Sequence, residues 1–480
     1  MRVLDAFFAR RIDSEAIGVF RIAVAAVGLF YAVGAVQLAD VAWPRHPALA
    51  TGAYAVWMAV LILLLAGWQA RLMAIASFAF VIVLNGNPMA GAVGELMYRI
   101  GAFTLMFMDA GAARSLDARR ARRRGDQPPG FQPRWPADIA VLSIGLCTML
   151  AGLPKVMSPV WRAGDGFYLA MLLPWTHHGW MDFVSASRPF TLAGNYLGMA
   201  VESGCVLLLF VPYLRWVGIA GFAGLMFGFG VAMSFYFIGL AGLMFLPLML
   251  PSSSGAWPSQ HRVPGSEGPA PGMFGRVFAI AHLSYMAVFT AAAVAAVLGR
   301  PSALDALAGF RPTRVYNRYA NDIRPLPLFC EVHLFGTFVY RLEGVTASGA
   351  RIELLPVFTD RGTPGPCCVA GPRYLEGLMF HVTDDAIRMS ADAAYRPDAG
   401  HMAEYRAVVA KAVRSAGEPV REVRMLIKVL NPPRTFKGRV APWDAEPWLP
   451  WMSFGVTGTD VAAQPSWLGQ PPRPAYTVRS

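Results

Sequence analysis

Nine apolar runs fill most of the first 300 residues, at 17–37, 51–68, 72–86, 95–110, 138–154, 196–213, 216–234, 236–250 and 278–299. A run of about 20 apolar residues matches the bilayer core when helical. Backbone groups in lipid must be satisfied within their own segment, so such runs fold as helices. Several of these runs are short, and 216–250 divides in more than one way, so the count is nine give or take one. Composition agrees: 55% of residues are hydrophobic, 15% are charged, and the mean hydropathy is +0.43. These values exclude an ordinary soluble chain of this length and imply a polytopic membrane protein. The acidic Glu15 near the start argues against a cleavable leader.

The net charge of +12 raises the question of nucleic acid. The distribution of the arginines answers it in the negative, because they fall in short loops between the apolar runs. The stretch "ARSLDARRARRRGDQPPGFQPRW" (113–135) alone holds seven arginines and is expected on the cytoplasmic side. Arg10, Arg11, Arg71, Arg215 and the 251–277 loop then fall on that side as well. This places the N-terminus inside and everything after residue 300 outside. Lys155, after the fifth run, lies at the outer face.

The character of the chain changes after Arg300, where acidic residues and prolines concentrate. Residues 1–300 therefore read as a membrane bundle and 301–480 as a small extracytoplasmic α+β domain. In the latter, "FGTFVYRLEGV" and "RIELLPVFT" predict a hairpin. "LMFHVTDDAIRM" predicts another strand, "HMAEYRAVVAKAVRSAG" an amphipathic helix closed by glycine, and "PVREVRMLIKVLN" a further strand. The Pro-rich tail after 460 predicts a surface or loose segment. The apolar piece "FYLAMLLPW" within 163–190 is too short to span and predicts a re-entrant or interfacial segment.

Lys155 is the only lysine before Lys411 in a chain that otherwise uses arginine for positive charge. Arginine does not deprotonate in proteins, whereas a desolvated lysine does, as a general base requires. Prolines at 154 and 159 flank it and predict breaks in the helix. At membrane depth such breaks face protein or a cavity. The competing reading is an interfacial lysine that snorkels to water. Glu202, inside the sixth run, is a functional candidate by position, though a hydrogen bond to a neighbouring helix would serve it equally. Glu95 and Arg99 are spaced to form an i,i+4 ion pair. His177 and His178 either shuttle protons or mark the interface with Trp175 and Trp180. Arg21 reads as snorkelling inward and Asp109 as a salt-bridge partner of the arginine-rich loop. Cys147 and Cys205 read as small core residues, and no spacing typical of a metal site appears.

Four stretches resemble the vitamin K-dependent gamma-glutamyl carboxylase superfamily, whose membrane part is also called the HTTM domain. They are "IDSEAIGVFRIAVAAVGLFY", "WMAVLILLLAGWQARLMAIASFAF", "YRIGAFTLMFMDAG" and "AGLPKVMSPVWRAG". The likeness covers roughly residues 11–250. It implies that Lys155 matches the lysine held to deprotonate reduced vitamin K, or a related quinol. Oxygenation then yields a strong base that removes a glutamate proton before CO2 adds, so O2 and CO2 are the implied co-substrates. The resemblance also implies an active site and a C-terminal domain on the outer side, with a peptide or protein substrate presented there. The family's catalytic histidine has no counterpart, since its place falls at Gly94, beside Glu95. Glu95 is then the residue expected to take its role, with Trp161, Glu202, His177 and His178 around the quinone pocket.

Two other classes compete with this expectation. One is a non-catalytic membrane assembly or partner-binding factor, of the kind lipase maturation factors represent. The other is a transporter, against which stands the absence of an inverted repeat or paired broken helices in the sequence.

Overall fold

A helix occupies each of the nine apolar runs among the described residues: Ser14–Val36, Pro47–Ala66, Ala70–Asn85, Glu95–Leu105, Trp135–Met157, Arg188–Phe210, Arg215–Phe227, Tyr236–Leu243 and Met273–Val297. The structure, a computed structural model, describes residues 2–37, 39, 43, 46–85, 95–172, 182–232, 236–250, 271–300, 310–320, 323, 337–354, 374–430 and 447–472. Four of these helices are long and apolar enough to cross a membrane: Ser14–Val36, Pro47–Ala66, Trp135–Met157 and Met273–Val297. Burial separates central from peripheral ones. The most apolar windows of the Ser14 and Trp135 helices are 61% buried, those of the Pro47 and Met273 helices 28% and 33%. The peripheral pair turn Leu49, Val56, Ile62, Phe274 and Val277 outward. An apolar outer surface of this extent is what a lipid-facing wall requires.

The basic residues converge on one end of the bundle. Arg10 and Arg134 both pair with Asp138 at 2.9 Å. Arg134 donates to the Leu248 carbonyl at 3.0 Å and Arg215 to that of Met249 at 2.9 Å. The two-stranded pairing of Arg11–Asp13 with Phe131–Pro133 ties the first helix to the arginine-rich segment at the same end. Arg21 departs from the snorkelling expectation. It is fully buried and donates to the carbonyls of Ala110, Ala113 and Arg114 at 2.7, 3.1 and 2.6 Å. These carbonyls lie in the turn between the Glu95–Leu105 and Leu116–Arg123 helices, outside any helical hydrogen-bond ladder, and a guanidinium supplies several donors at once. Asp109 is exposed, and no ion pair to it appears among the described residues. Instead its backbone N–H and carbonyl are both bonded to the Gln132 amide at 2.9 Å.

The short segment "FYLAMLLPW" begins within a helix, Gly166–Met171, whose residues Tyr168–Met171 are all buried. It packs inward against the Arg188–Phe210 helix rather than lying at a surface.

The C-terminal part forms an antiparallel sheet in the order 351–354, 337–346, 420–430, 449–457, 460–461, with 466–467 also paired to 449–457. The hairpin 337–346/351–354 and the strand 420–430 match expectation. Residues 378–389 do not: they belong to a helix, Tyr374–Ala391. Leu378, Val382, Ala386 and Met389 are buried at helical spacing, a period that outweighs the local β-branched residues. Thr383 on this helix brackets Phe338, accepting from its N–H at 3.1 Å and donating to its carbonyl at 3.2 Å. The expected amphipathic helix is present as Ala399–Ser415. The start of the Pro-rich tail is part of the sheet, through 460–461 and 466–467. Lys411 on the Ala399 helix donates to the Gln37 carbonyl at 2.6 Å. That carbonyl follows the end of the first helix remote from the arginine pole. Residues 311–320 also lie against the bundle, with Tyr316 on His282 at 2.6 Å and Tyr285 donating to Asn317 at 2.5 Å.

Candidate functional site

Helices Trp135–Met157 and Arg188–Phe210 pack antiparallel, with Thr148 against Cys205 and Gly152 against Glu202 and Ser203. Pro154 does not break the first of these helices. It sits in the last turn, and the chain remains helical to Met157. Ser158 is extended and Pro159 opens the short helix Pro159–Arg162, so of the two predicted breaks only the one at Pro159 is present. Lys155 therefore leaves a helical position, from which side chains lean back toward the N-terminus of their helix. Its ammonium points into the bundle, not out past the helix end.

Lys155 is 2% and Glu202 4% exposed. Lys155 Nζ donates to Glu202 Oε1 at 2.7 Å and to Oε2 at 2.5 Å. The same Nζ lies 5.0 Å from the centroid of the Trp161 ring, a cation–π distance. Burying either charge alone is strongly unfavourable, and the pairing with added contacts makes it tolerable. Asn195, fully buried, holds the loop that carries Trp161. It donates to the Trp161 carbonyl at 2.8 Å and accepts from the Phe167 N–H at 3.1 Å. Asp165 and Arg188 close the same loop with a 2.6 Å ion pair.

Lys155, Glu202 and Trp161 line one cavity of about 380 Å³ between the Arg188–Phe210 and Arg215–Phe227 helices. The remaining wall is apolar side chains, with Phe167, Leu197, Val201, Leu225 and Phe229 among them, and glycine backbone. At Gly198, Gly224 and Gly228 an added β-carbon would meet nothing within 4 Å. These three positions open directly onto the cavity. Leu197 on its rim is 66% exposed, so the cavity reaches the lateral surface of the bundle. The arrangement is one polar pole in an otherwise apolar chamber of ligand-binding size.

Of the residues singled out in the sequence, Lys155, Glu202 and Trp161 come together. Glu95 does not join them. It is not part of the cavity wall, and it forms the expected i,i+4 pair with Arg99 at 3.7 Å. The reason is packing: the partner of the lysine helix at this level is the Arg188 helix, and its carboxylate takes the place expected for Glu95. His177 and His178 lie outside the described residues, as do Trp175, Trp180 and Gly94. Sequence reading missed the glycine wall and Asn195. The spacing of Gly194 and Gly198, and of Gly221, Gly224 and Gly228, was the available signal. Small residues at that spacing equally mark close helix packing, so the pattern alone does not announce a cavity.

No family model matches the chain, and no curated protein and no solved structure matches it either.

Proposed function

We propose that the protein spans the membrane with its arginine pole in the cytoplasm, about nine crossings, and the sheet domain outside. In this reading the cavity beside Lys155 binds a lipophilic quinol. The observation that carries it is the buried Lys155–Glu202 pair forming the single polar pole of an apolar cavity that reaches the lateral surface. An aromatic ring carrying a hydroxyl fits this chamber. The hydroxyl meets the polar pole, the ring lies between Trp161, Phe167 and the glycine wall, and an isoprenoid tail passes Leu197 into lipid.

A reduced quinol, when bound, supplies an ionisable hydroxyl and two electrons. The chain's own contribution is proton handling. A proton can pass from Lys155 Nζ to a Glu202 oxygen within their hydrogen bond, which leaves a neutral amine facing the cavity. That amine is then the base for the ligand hydroxyl, and no unpaired charge is created in a low-dielectric site. Trp161 and Asn195 fix the amine's position. In this proposal Lys155 and Glu202 act as one unit, and Glu95 is a structural residue. A carboxylase- or oxygenase-type modification of a peptide or small substrate is the downstream chemistry, with CO2 and O2 as co-substrates. Titration of the detergent-solubilised protein with a short-chain naphthoquinone, followed by tryptophan quenching, tests the binding step. Saturable quenching that Gly198→Leu removes supports it; quenching unchanged by that substitution overturns it.

A second reading, a non-catalytic membrane factor, is favoured by one feature: Lys155 Nζ is bound to both carboxylate oxygens of Glu202. In that case the pair is a helix clamp, and the cavity holds no ligand.

A further inference from the structure

Helices Tyr374–Ala391 and Ala399–Ser415 of the sheet domain are joined by two crossed histidine–carboxylate contacts. His381 Nδ1 of the first helix lies 2.5 Å from Glu404 of the second. His401 Nδ1 of the second lies 2.9 Å from Asp385 of the first. The two imidazole rings stack on each other, with centroids 4.2 Å apart and planes inclined by 16°. Asp385 is fully buried and also accepts from the hydroxyls of Tyr395 and Tyr405, at 2.8 and 2.6 Å.

We propose that the stacked His381–His401 pair is a proton-operated clasp between these two helices, drawing them together as the surrounding pH falls through the histidine range. Both Nδ1 atoms face carboxylates, so each bond survives in the neutral ring. Adding a proton turns a neutral hydrogen bond into a charge-assisted one, roughly twice as strong. The stack admits one such charge readily, because a second would place two cations face to face. His381 is the ring that takes it.

The other titratable and charged groups around the pair among the described residues are Asp384, Arg388, Tyr395 and Asp398. Arg388 is bound to Asp384 at 3.1 Å, and Asp398 caps the Ala399 helix. The hydrogen bond to the Glu404 carboxylate, with Asp385 and Asp384 adding to it, raises the His381 pKa against the opposing effect of burial. A raised pKa means that the contribution is fully present below the unfolded value of about 6.5 and is lost as pH rises through the folded value. The Ala399 helix also carries Lys411, which holds the Gln37 carbonyl of the bundle. The clasp thus bears on a helix that touches the bundle.

The test is hydrogen–deuterium exchange of the full-length protein in detergent at about pH 6 and about pH 8. Intrinsic exchange rates are corrected for pH, and the strand 420–430 serves as reference. Peptides from 374–415 are expected to be about two- to fivefold better protected at the lower pH, the equivalent of a partly exposed ion pair. His381→Gln should keep a hydrogen-bonding side chain and abolish the pH step. Should that variant lose the helix pair altogether, Glu404→Gln retains the shape of the carboxylate without its charge and should flatten the step. Wild-type protection equal at both pH values overturns the proposal, as does a full pH step in Glu404→Gln.

Discussion

Gly152 lies directly against Glu202: a β-carbon at position 152 would stand 2.8 Å from the Glu202 β-carbon and 2.6 Å from Ser203 Oγ. The lysine and glutamate helices approach this closely because one of them has no side chain at the crossing. Gly152→Ala should therefore push them apart and lengthen the Lys155–Glu202 contact. The expected cost is about 1–3 kcal/mol of overpacking, read as a lowered thermal midpoint in detergent. Ser203→Ala alone should not restore the midpoint, because the backbone N–H of Ser203 is equally close at 2.8 Å.

Glu202→Ala leaves a buried ammonium without its carboxylate and should destabilise the protein by about 3–5 kcal/mol. Lys155→Met/Glu202→Met removes both charges at similar volume and should recover most of that loss. Thermal unfolding of the single and double variants measures the difference. A double variant as unstable as the single one would mean that the pair is not the coupled unit described.

Arg21 is expected to be as intolerant of change as the lysine site, for a different reason. Arg21→Met strands the carbonyls of Ala110, Ala113 and Arg114, each costing about 1–3 kcal/mol when buried without a donor. The expected outcome is loss of monodisperse protein on size-exclusion chromatography. Arg21→Lys should rescue only in part, since an ammonium lacks the planar fork of donors.

Asp398 caps the Ala399–Ser415 helix by accepting from the N–H groups of Gly400 and His401, at 2.7 and 2.9 Å. The bond from His401 N–H, with lesser help from Gly400, lowers its pKa below the usual carboxylate value. A lowered pKa gives stability that is present above about pH 3.9 and is lost as pH falls through the folded value. Asp398→Ala should cost about 1 kcal/mol at neutral pH, and this difference should vanish in strong acid. Exchange protection of 399–415 measures it.

Four of the helices were legible because their apolar runs have the length lipid demands, and the arginine pole because the arginines gather in the short stretches between apolar runs. Lys155 was legible as the lone lysine among arginines, and Glu202 as a carboxylate inside an apolar run. Their pairing was not, since it depends on the register between two antiparallel helices, which no local pattern records. Glu95 drew attention by lying beside the place of a missing histidine, yet the packing gives it Arg99 instead. The helix at 374–391 was misread as a strand because Val382, Thr383 and Ile387 favour one locally, while the buried stripe of Leu378, Val382, Ala386 and Met389 emerges only over several turns. The crossed histidines followed from that same helix and were invisible while it was read as a strand.

The central claim is that the glycine-walled cavity beside Lys155 holds a quinol. Its most direct test is organic extraction of the purified protein with mass spectrometry of the extract, comparing wild type with Gly198→Leu and Gly224→Leu. Both substitutions project into open space and should leave the fold intact while filling the cavity. A quinone recovered in near-stoichiometric amount from wild type and lost from both variants is the expected result. No quinone in any of the three, or equal amounts in all, would contradict it.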